Sequence, residues 1–331
     1  MTLSLQPTML WESTDPQSAL AKRFQFATPA AASDWLRATV THSYGLAVVS
    51  VDRLVMSAYN LLAWLTTAEG TLLAKCCAFL PAHARLLAAG ELVVWLAQRG
   101  LPVSAPLMTT AGAVQVQCDH LSVSVQRVIA GELLDPTQLD QAHSAGVALA
   151  QLHGALATYP QASALAPPAP VPPLSTLIDD WGKAKIASIS EPDLLAASTS
   201  LLRRAEQLAT PPLATQLVHG DFRAANILWQ ADRIAAVLDF EEVRWGYRVN
   251  DLAWAAVHLG TRYHDWGPVA LEGHDTFLRG YTAVQPLTPL EQAWLPVLLL
   301  WHSISLTQAA TGKPTYTAGL AAIRSYRNLL Q

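Results

Sequence analysis

The sequence contains little charge: only 14% of its 331 residues are Asp, Glu, Lys or Arg, and the formal net charge is −4. No segment is rich in lysine or arginine, which argues against a nucleic-acid partner, because binding to a phosphate backbone needs clustered positive charge. Apolar residues make up 51% of the chain. This composition is typical of a well-buried globular protein and excludes a disordered one.

Long apolar runs are also missing. The nearest candidate, Leu295–Leu300, is far shorter than the roughly 18 residues that a membrane helix needs. Met1–Leu10 carries no positive charge ahead of an apolar segment, as a secretory signal would. We therefore expect a cytoplasmic protein that makes no contact with a membrane.

Cysteine is scarce as well, with three residues at positions Cys76, Cys77 and Cys118. Their odd number and their spacing fit neither a disulfide framework nor a metal site. We expect reduced, buried side chains, as is usual in the cytoplasm.

The most informative stretch runs from Gln216 to Ala256. Three short apolar segments read as strands, and polar residues gather at their ends: His219, Asp221, Asn226 and Asp239. Side chains at strand ends are held rigidly by the backbone, which is how a site is built. Any one of these residues alone reads more readily as a turn or a helix cap, but the joint pattern does not.

The spacing of these polar residues indicates which reaction the site would carry out. Asp221 and Asn226 are five residues apart, as are the catalytic-loop Asp and Asn of protein kinases, and Asp239-Phe240-Glu241 lies where kinases have D-F-G. The loop reads H-G-D-F-R-A-A-N, and Asp251-Leu252-Ala253 follows ten residues after Glu241. This set resembles the aminoglycoside phosphotransferase, choline kinase and homoserine kinase family, whose signature is HGD-x-x-x-x-N, then D-F-E or D-F-D, then D-L-A.

The resemblance implies an ATP-dependent kinase that phosphorylates a hydroxyl of a small molecule. Asp221 would be the catalytic base, and Asn226 and Asp239 would hold Mg²⁺, a hard cation that prefers oxygen ligands. His219 would hold the loop's shape, and Asp251 would brace it. The run Gly146-x-x-Leu149-Ala150-x-Leu152-His153 resembles the family's first large-lobe helix; by itself His153 reads as a helix-surface or core histidine.

The resemblance also implies the fold, which is α+β and two-lobed like a protein kinase. Residues 1–43 would form an N-terminal tail and helix, with residues 1–28 as a tail or edge element and a helix over 32–42 capped by Ser33 or Asp34. Residues 44–130 would form a small, antiparallel ATP-binding lobe of three strands, a helix and two strands. Residues 131–331 would form a larger helical lobe with the catalytic loop and the acceptor site, as a monomer or a homodimer.

Several residues of the small lobe acquire roles toward ATP by the same resemblance. Lys75, in an apolar strand, would pair with Glu91 of the following helix and orient the phosphates; an edge lysine reaching water is the alternative. Ser57 lies in a loop that lacks the G-x-G-x-x-G of protein kinases but would cover the phosphates, and Arg127 and Ile129 lie at the hinge that receives adenine.

Three questions stay open at the level of sequence. His219, Asp221, Asp239 and Glu241 would also suit a metal-dependent hydrolase, and a catalytically silent nucleotide-binding protein is a further alternative. Aromatic residues of the C-terminal helices either pack the core or line an acceptor pocket: Trp254, His258, Tyr263, Trp266, Trp294, Trp301 and His302. The acceptor, whether aminoglycoside, homoserine, choline, macrolide or sugar, is not specified, and dispersed acidic residues fit a solvated face equally well.

Overall fold

The computed structural model describes residues 5–263, 265–267, 269–313 and 315–330. The chain divides into two compact units, Met1–Ala130 and Gly131–Gln331. Each has its own sheet and helices, and each is described below by itself.

The first unit is built on a mixed sheet with strand order β1-β2-β3-β4-β6-β5. Its strands are β1 (Pro7–Met9), β2 (Val48–Met56), β3 (Asn60–Thr67), β4 (Gly70–Cys77), β5 (Val116–Cys118) and β6 (Leu121–Arg127). Strand β1 pairs with β2 in parallel, whereas every other pair is antiparallel. Burial alternates strictly along β3, as expected for a strand with one face toward a core.

Three helices belong to this unit: α1 (Pro16–Phe24), α2 (Pro29–Tyr44) and α3 (His83–Gln98). Leu20, Phe24, Leu36 and Val40 of the first two helices share one apolar core with alternate residues of the sheet. Because Ala74 and Cys76 face this core, the intervening residue of β4 faces the opposite side of the sheet.

Residues 1–28 contribute the edge strand β1, which is the edge element of the two predicted alternatives, and also helix α1, which was not predicted. Asp15 caps α1 by accepting a hydrogen bond from Ser18 N–H at 2.7 Å, and Pro16 opens the helix. Helix α2 likewise begins earlier than expected, with Thr28 as its cap in place of Ser33 or Asp34. Both starts use a capping side chain followed by proline, whose fixed φ suits the first helical position.

The second unit is mainly helical. Its helices are α4 (Leu139–Leu156), α5 (Leu174–Lys185), α6 (Pro192–Gln207), α7 (Arg248–His258), α8 (Leu271–Val284), α9 (Pro289–Ala309) and α10 (Tyr316–Asn328). Its strands are β7 (Glu132–Leu133), β8 (Gln216–Val218), β9 (Ile227–Gln230), β10 (Arg233–Val237), β11 (Arg244–Gly246), β12 (Thr261–Arg262) and β13 (Asp265–Trp266). They form sheets ordered β10-β9-β7, β11-β8 and β12-β13. Pro296 lies inside α9, beyond its first turn.

Helices α4 and α8 approach each other closely because glycine lies at both contact points. A Cβ at Gly146 of α4 would overlap the carbonyl oxygen of Phe277, and one at Gly280 of α8 would overlap the carbonyl oxygen of His143. The crossing therefore requires residues without side chains, and it fixes His153 of α4 near Tyr281 of α8.

One helical stretch of the described chain, Leu80–Gln98, is long and apolar enough to span a membrane, with a mean hydropathy of 1.2 and 33% of its residues buried. Core helices of soluble proteins pass the same test, so this stretch alone is weak support for membrane insertion.

Candidate active site

The antiparallel hairpin β9–β10 brings two of the predicted site residues to the same end. Asn226 directly precedes β9, Asp239 lies two residues after the end of β10, and Ile227 pairs with Val237 at that end. The N–H of Leu238 donates to the carbonyl oxygen of Asn226 at 2.8 Å, which extends the pairing to the residue before Asp239. Asn226 and Asp239, thirteen residues apart in sequence, are thus neighbours by strand pairing.

Asp221 is held by two side chains of its own loop. Arg223 Nε lies 2.9 Å from Asp221 Oδ1, and the Asn226 amide nitrogen donates to Asp221 Oδ2 at 2.7 Å. A second hydrogen bond from the same amide nitrogen reaches the main-chain oxygen of Asp221 at 2.9 Å. The carboxylate therefore has a fixed orientation in the loop.

The electrostatic environment of Asp221 favours a base of increased strength. Burial raises the pKa of the carboxyl above its ordinary value, and the positive charge and hydrogen bond of Arg223 offset part of this effect. The charge of Asp239 raises the same pKa further. Because the two carboxylates influence each other, they belong to one site.

Asp239 itself has an unusual backbone conformation. Its φ of 59° and ψ of 70° place it in the left-handed region, which Asn and Asp enter more readily than other side chains. Its side chain is exposed. Sparsely populated conformations of this kind concentrate at functional sites.

His219 shapes the loop from within. Its Nδ1 accepts a hydrogen bond from the N–H of Asp221 at 3.2 Å, so Nε2 carries the proton and donates to the carbonyl oxygen of Leu238 at 3.1 Å. Burial lowers the pKa of the imidazole, which agrees with a neutral ring. His219 thus ties the loop of Asp221 to the strand end before Asp239.

Asp251, in the first turn of α7, braces the same loop. Its carboxylate accepts hydrogen bonds from the N–H groups of His219 at 3.2 Å and of Gly220 at 2.9 Å. It also contacts Nε2 of His153 at 3.0 Å, and His153 Nδ1 lies 2.8 Å from the hydroxyl of Tyr281. Burial alone would raise the pKa of Asp251, but the hydrogen bond and charge of His153 outweigh it and hold the pKa below its ordinary value.

Gly220 leaves no room for another residue in the braced loop. Its φ is +85°, and a Cβ there would overlap the guanidinium of Arg244 and the carbonyl oxygen of Glu242. The glycine of the H-G-D triplet is therefore required by both conformation and packing.

A comparison with known protein families shows the family to which the chain belongs. Residues 54–287, more than half of the chain, match the profile of the phosphotransferase enzyme family. The chain belongs to this family. Among its curated relatives is a homoserine kinase of Methylobacillus glycogenes, which is 25% identical over 217 residues; the match covers 63% of this chain and 63% of the relative. The chain thus spans less than two thirds of the length of that relative.

Solved structures of similar proteins show the same fold. The amicoumacin kinase hAmiN, crystallised with AMP-PNP, Ca²⁺ and Ami, superposes with a TM-score of 0.60 at 15% identity and covers 90% of this chain and 92% of its own. The macrolide 2'-phosphotransferase MphH from Brachybacterium faecium gives a TM-score of 0.57 at 19% identity, covering 88% of this chain and 98% of its own. The predicted α+β, protein-kinase-like fold of this phosphotransferase family member is confirmed.

The site has oxygen ligands suited to a hard divalent cation. Because the amide nitrogen of Asn226 is bonded to Asp221, its amide oxygen is the atom that a cation would take, and Asp239 offers a carboxylate from the same hairpin end. His219 does not suit the metal-ligand role of the hydrolase alternative, since both ring nitrogens are engaged in hydrogen bonds. Within the described residues, no group of three or more His, Cys, Asp or Glu side chains is arranged to hold a metal.

Lys75 and Glu91 lie in the first unit of this family member. Lys75 is half-buried in the middle of β4, where it pairs with Leu62 of β3 and Ser124 of β6, on the face opposite the N-terminal helices. Glu91 is exposed on α3, whose buried face carries Leu92 and Leu96. No ion pair of Glu91 occurs within the described residues, so its pairing with Lys75 stays a prediction.

Ser57 is buried in the turn between β2 and β3. Its N–H donates to the carbonyl oxygen of Asn60 at 2.8 Å, and its hydroxyl accepts from the N–H of Asn60 at 3.3 Å. Its carbonyl oxygen accepts a hydrogen bond from Arg23 of α1 at 3.0 Å. These contacts define a closed turn, held from outside by the N-terminal helix.

Arg127 and Ile129 lie at the end of β6. Arg127 is exposed and reaches Glu69 of the β3–β4 turn at 3.4 Å, a surface ion pair of little energetic weight. Ile129 follows the strand and is half-buried. Their assignment to adenine binding stays a prediction.

Arg223, His153 and Arg23 were not identified as site residues from the sequence. Arg223 lies inside the H-G-D-F-R-A-A-N loop, two residues after Asp221, so the sequence itself shows a positive charge close to that carboxylate. The contacts of His153 with Asp251 and of Arg23 with Ser57 span 98 and 34 residues, and no local pattern predicts them.

The aromatic residues of the C-terminal helices have different environments. Trp294 and His302 are buried in the core, and the rings of Trp254 and His258 stack with centroids 4.2 Å apart. Tyr263 is 48% exposed, whereas Trp266 lines a cavity. Core packing therefore explains only some of these aromatic residues.

Proposed function

We propose that this protein is an ATP-dependent kinase that transfers the γ-phosphoryl group to a hydroxyl of a small molecule. The observation that carries the proposal is the convergence of Asp221, Asn226 and Asp239 on one loop and hairpin end, braced by the buried Asp251. Membership of the phosphotransferase enzyme family supports the reaction class. Phosphoryl transfer depends mainly on positioning and charge stabilisation, which such a rigid arrangement supplies.

In this proposal Asp221 is the base. The acceptor hydroxyl donates a hydrogen bond to the Asp221 carboxylate, which takes the proton as the acceptor oxygen attacks the γ-phosphorus. The bond between the γ-phosphorus and the β–γ bridging oxygen breaks, and ADP leaves with that oxygen. Asn226 and Arg223 orient that carboxylate through their side-chain nitrogens. The raised pKa of Asp221 brings a carboxyl closer to the pH at which the reaction runs.

The oxygen atoms of Asn226 and Asp239 suit Mg²⁺, the cation expected to accompany the nucleotide. When bound with ATP, Mg²⁺ neutralises the charge on the β- and γ-phosphates, and the amide oxygen of Asn226 and the carboxylate of Asp239 would hold it. Relatives crystallised with nucleotides support ATP as the donor: hAmiN was solved with AMP-PNP and a spectinomycin phosphotransferase with ADP.

The first unit would bind the nucleotide. We assign Lys75, with Glu91 as its expected partner, to the phosphates, the Ser57 turn to phosphate cover, and the backbone at Arg127 and Ile129 to adenine. The half-buried position of Lys75 among apolar neighbours supports a function for its charge, since lysine is rarely placed there without one.

A cytoplasmic location, no membrane contact and a monomeric or homodimeric state remain predictions.

The acceptor is proposed as a class only, a small molecule with a free hydroxyl. Homoserine is the first compound to test, because several curated relatives are homoserine kinases. Choline, an aminoglycoside and a macrolide follow; for the last two, solved relatives are named as an aminoglycoside phosphotransferase and a macrolide 2'-phosphotransferase.

The experiment combines ATP consumption with ATP binding in matched variants. With an accepted substrate, Asp221→Ala should abolish transfer and leave Mg·ATP affinity nearly unchanged, whereas Asp239→Ala should weaken Mg·ATP binding itself. Asp232→Ala, in the exposed turn between β9 and β10, is the control and should behave like wild type.

Two outcomes would contradict the proposal. Equal loss of ATP affinity in Asp221→Ala and Asp239→Ala would remove the separate roles of base and metal ligand. ATP binding without turnover against the whole panel would favour the catalytically silent alternative, and a tightly held transition metal without nucleotide affinity would favour the hydrolase.

A further inference from the structure

Arg23, in the last turn of α1, contacts the Ser57 turn, residues 57–60, from outside the β2–β3 hairpin. Its guanidinium donates to the carbonyl oxygen of Ser57 at 3.0 Å and forms an ion pair with Glu12 at 2.6 Å. A further contact of 3.4 Å reaches the hydroxyl of Thr14. The side chains of Arg23 and Glu12 are only 27% and 21% exposed. With three partners, the guanidinium has a fixed position against the turn.

The N-terminal segment that carries Arg23 is attached to the end of β2. Strand β1 pairs in parallel with the last three residues of β2, which directly precede Ser57. The N–H of Leu10 adds a hydrogen bond to the carbonyl oxygen of Met56 at 2.8 Å. Leu20 and Phe24 of α1 are fully buried in the core that also contains Met56. Arg23 therefore reaches the turn from a rigid support, as precise positioning requires.

The carbonyl group of Ser57 departs from the arrangement usual in a tight turn. In an ordinary β-turn, the carbonyl oxygen of the first residue accepts a hydrogen bond from the N–H of the fourth. Here the N–H of Asn60 donates to the hydroxyl oxygen of Ser57 at 3.3 Å, and the Ser57 carbonyl oxygen accepts from Arg23. The Ser57 hydroxyl thus takes the place of the carbonyl inside the turn, and the guanidinium holds the carbonyl outside it.

This orientation determines the direction of the next N–H group. The C=O and N–H bonds of a trans peptide lie in one plane and point in opposite directions, so the N–H of Ala58 is directed away from Arg23. Within the described residues, the N–H groups of Ala58 and Tyr59 donate no hydrogen bond, and both residues are exposed. Successive free N–H groups in a turn form a concave site for anions.

The turn contains no glycine, whereas the loop that covers the phosphates in protein kinases is rich in it. Without the conformational freedom of glycine, a turn needs another means to set its peptide groups. We propose that Arg23 is a positioning residue for the nucleotide, which holds the Ser57 carbonyl aside so that the N–H groups of Ala58 and Tyr59 donate to phosphate oxygens of ATP. This role rests on the proposed function, in which the Ser57 turn covers the phosphates.

Arg23→Met tests the role, because it keeps most of the side-chain length and removes the donors. The peptide could then rotate and direct a carbonyl oxygen toward the phosphates, which would repel it. Calorimetry on the full chain should show Mg·ATP affinity lowered at least about tenfold, the effect of one hydrogen bond to a charged group. Adenosine affinity, measured by competition, should not change. With an accepted substrate, KM for ATP should rise by a similar factor while kcat stays near wild type.

Three further variants separate positioning from a loss of charge or stability. Lys22→Ala removes the neighbouring positive charge on α1, and Thr28→Ala removes the side chain that caps α2 in the same unit. Both should bind Mg·ATP like wild type. Ala58→Pro removes an N–H at the second position of the turn, where proline is favoured, and should weaken Mg·ATP binding. Adding Arg23→Met to it should cause little further loss, since both changes act on one hydrogen bond.

Three results would overturn the positioning role and leave the proposed kinase intact: wild-type Mg·ATP affinity in Arg23→Met, equal losses of affinity for ATP and adenosine, or an equal effect of Thr28→Ala. Wild-type protein without Mg·ATP affinity would overturn the proposed function and this role with it. If Ala58→Pro does not fold, Arg23→Met and its two controls decide alone.

Discussion

Replacing Asp251 by Asn tests whether one buried carboxylate holds the loop that carries Asp221. The wild-type carboxylate receives three hydrogen bonds, from the N–H groups of His219 and Gly220 and from His153. An amide of the same shape retains one acceptor oxygen. If that oxygen takes the place of Oδ2, it still serves His219 and His153, but the new NH₂ group faces the N–H of Gly220.

The loss can be summed from these contacts. Leaving the Gly220 N–H unpaired costs about 1–3 kcal/mol, and the two remaining bonds each lose about 1 kcal/mol because the acceptor is no longer charged. Relief from burying a charge offsets part of this sum. We expect the free energy of unfolding to fall by about 2–4 kcal/mol, among the larger effects of a single substitution.

Urea unfolding followed by circular dichroism measures this change, with Asp232→Asn in the exposed β9–β10 turn as the matched control. Because the pKa of Asp251 is held below its ordinary value of 3.8, its contribution is present above that pH and is lost as pH falls through the folded pKa. The difference between wild type and variant should therefore shrink at low pH. Coincident unfolding curves at pH 7, together with undiminished turnover, would refute the brace.

The remaining predictions concern the base and the helix crossing. Arg223→Ala should move the acid limb of the pH–rate profile to higher pH, because removing the positive charge raises the pKa of Asp221, which as the proposed base must be ionised to act. Arg233→Ala, at an exposed site, should leave the profile in place. An unmoved profile in Arg223→Ala would contradict an effect of its charge on Asp221. Gly146→Ala should lower thermal stability by about 1–3 kcal/mol or more, since its Cβ would overlap backbone of α8. Gly154→Ala on the same helix meets nothing closer than 3.8 Å and should raise stability by about 0.5–1 kcal/mol; equal behaviour of the two variants would contradict the close crossing.

The geometry of the Asp221 loop and of the hairpin end at Asp239 was predictable because the residues that determine it lie close together in sequence. The spacing of Asp221 and Asn226 and the strand that ends before Asp239 lie in one short stretch, and hairpin pairing brings them together without help from distant residues. The same is true of Asp251, which follows soon after in sequence.

Contacts between distant residues were not predictable in this way. His153 was interpreted as an ordinary helix histidine because its partners, Asp251 and Tyr281, lie 98 and 128 residues away. The sequence showed Gly146 as part of a motif but not why a glycine is needed there. The backbone of α8 lies so close that it leaves no room for a Cβ, and this approach is seen only in the folded unit. The missed helix α1 is different, because Asp15 followed by Pro16 is a local signal for a helix start that the sequence prediction did not use.

The turn at Ser57 also affects how fragments of this protein should be chosen. Residues matched by the family profile begin at position 54, yet the guanidinium that holds this turn comes from Arg23, itself paired with Glu12 at 2.6 Å. A clone trimmed to the family boundary would keep every signature residue and still lose the outside support of the Ser57 turn. Inactivity of such a fragment would then report on its missing N-terminal helix and not on the chemistry of the loop.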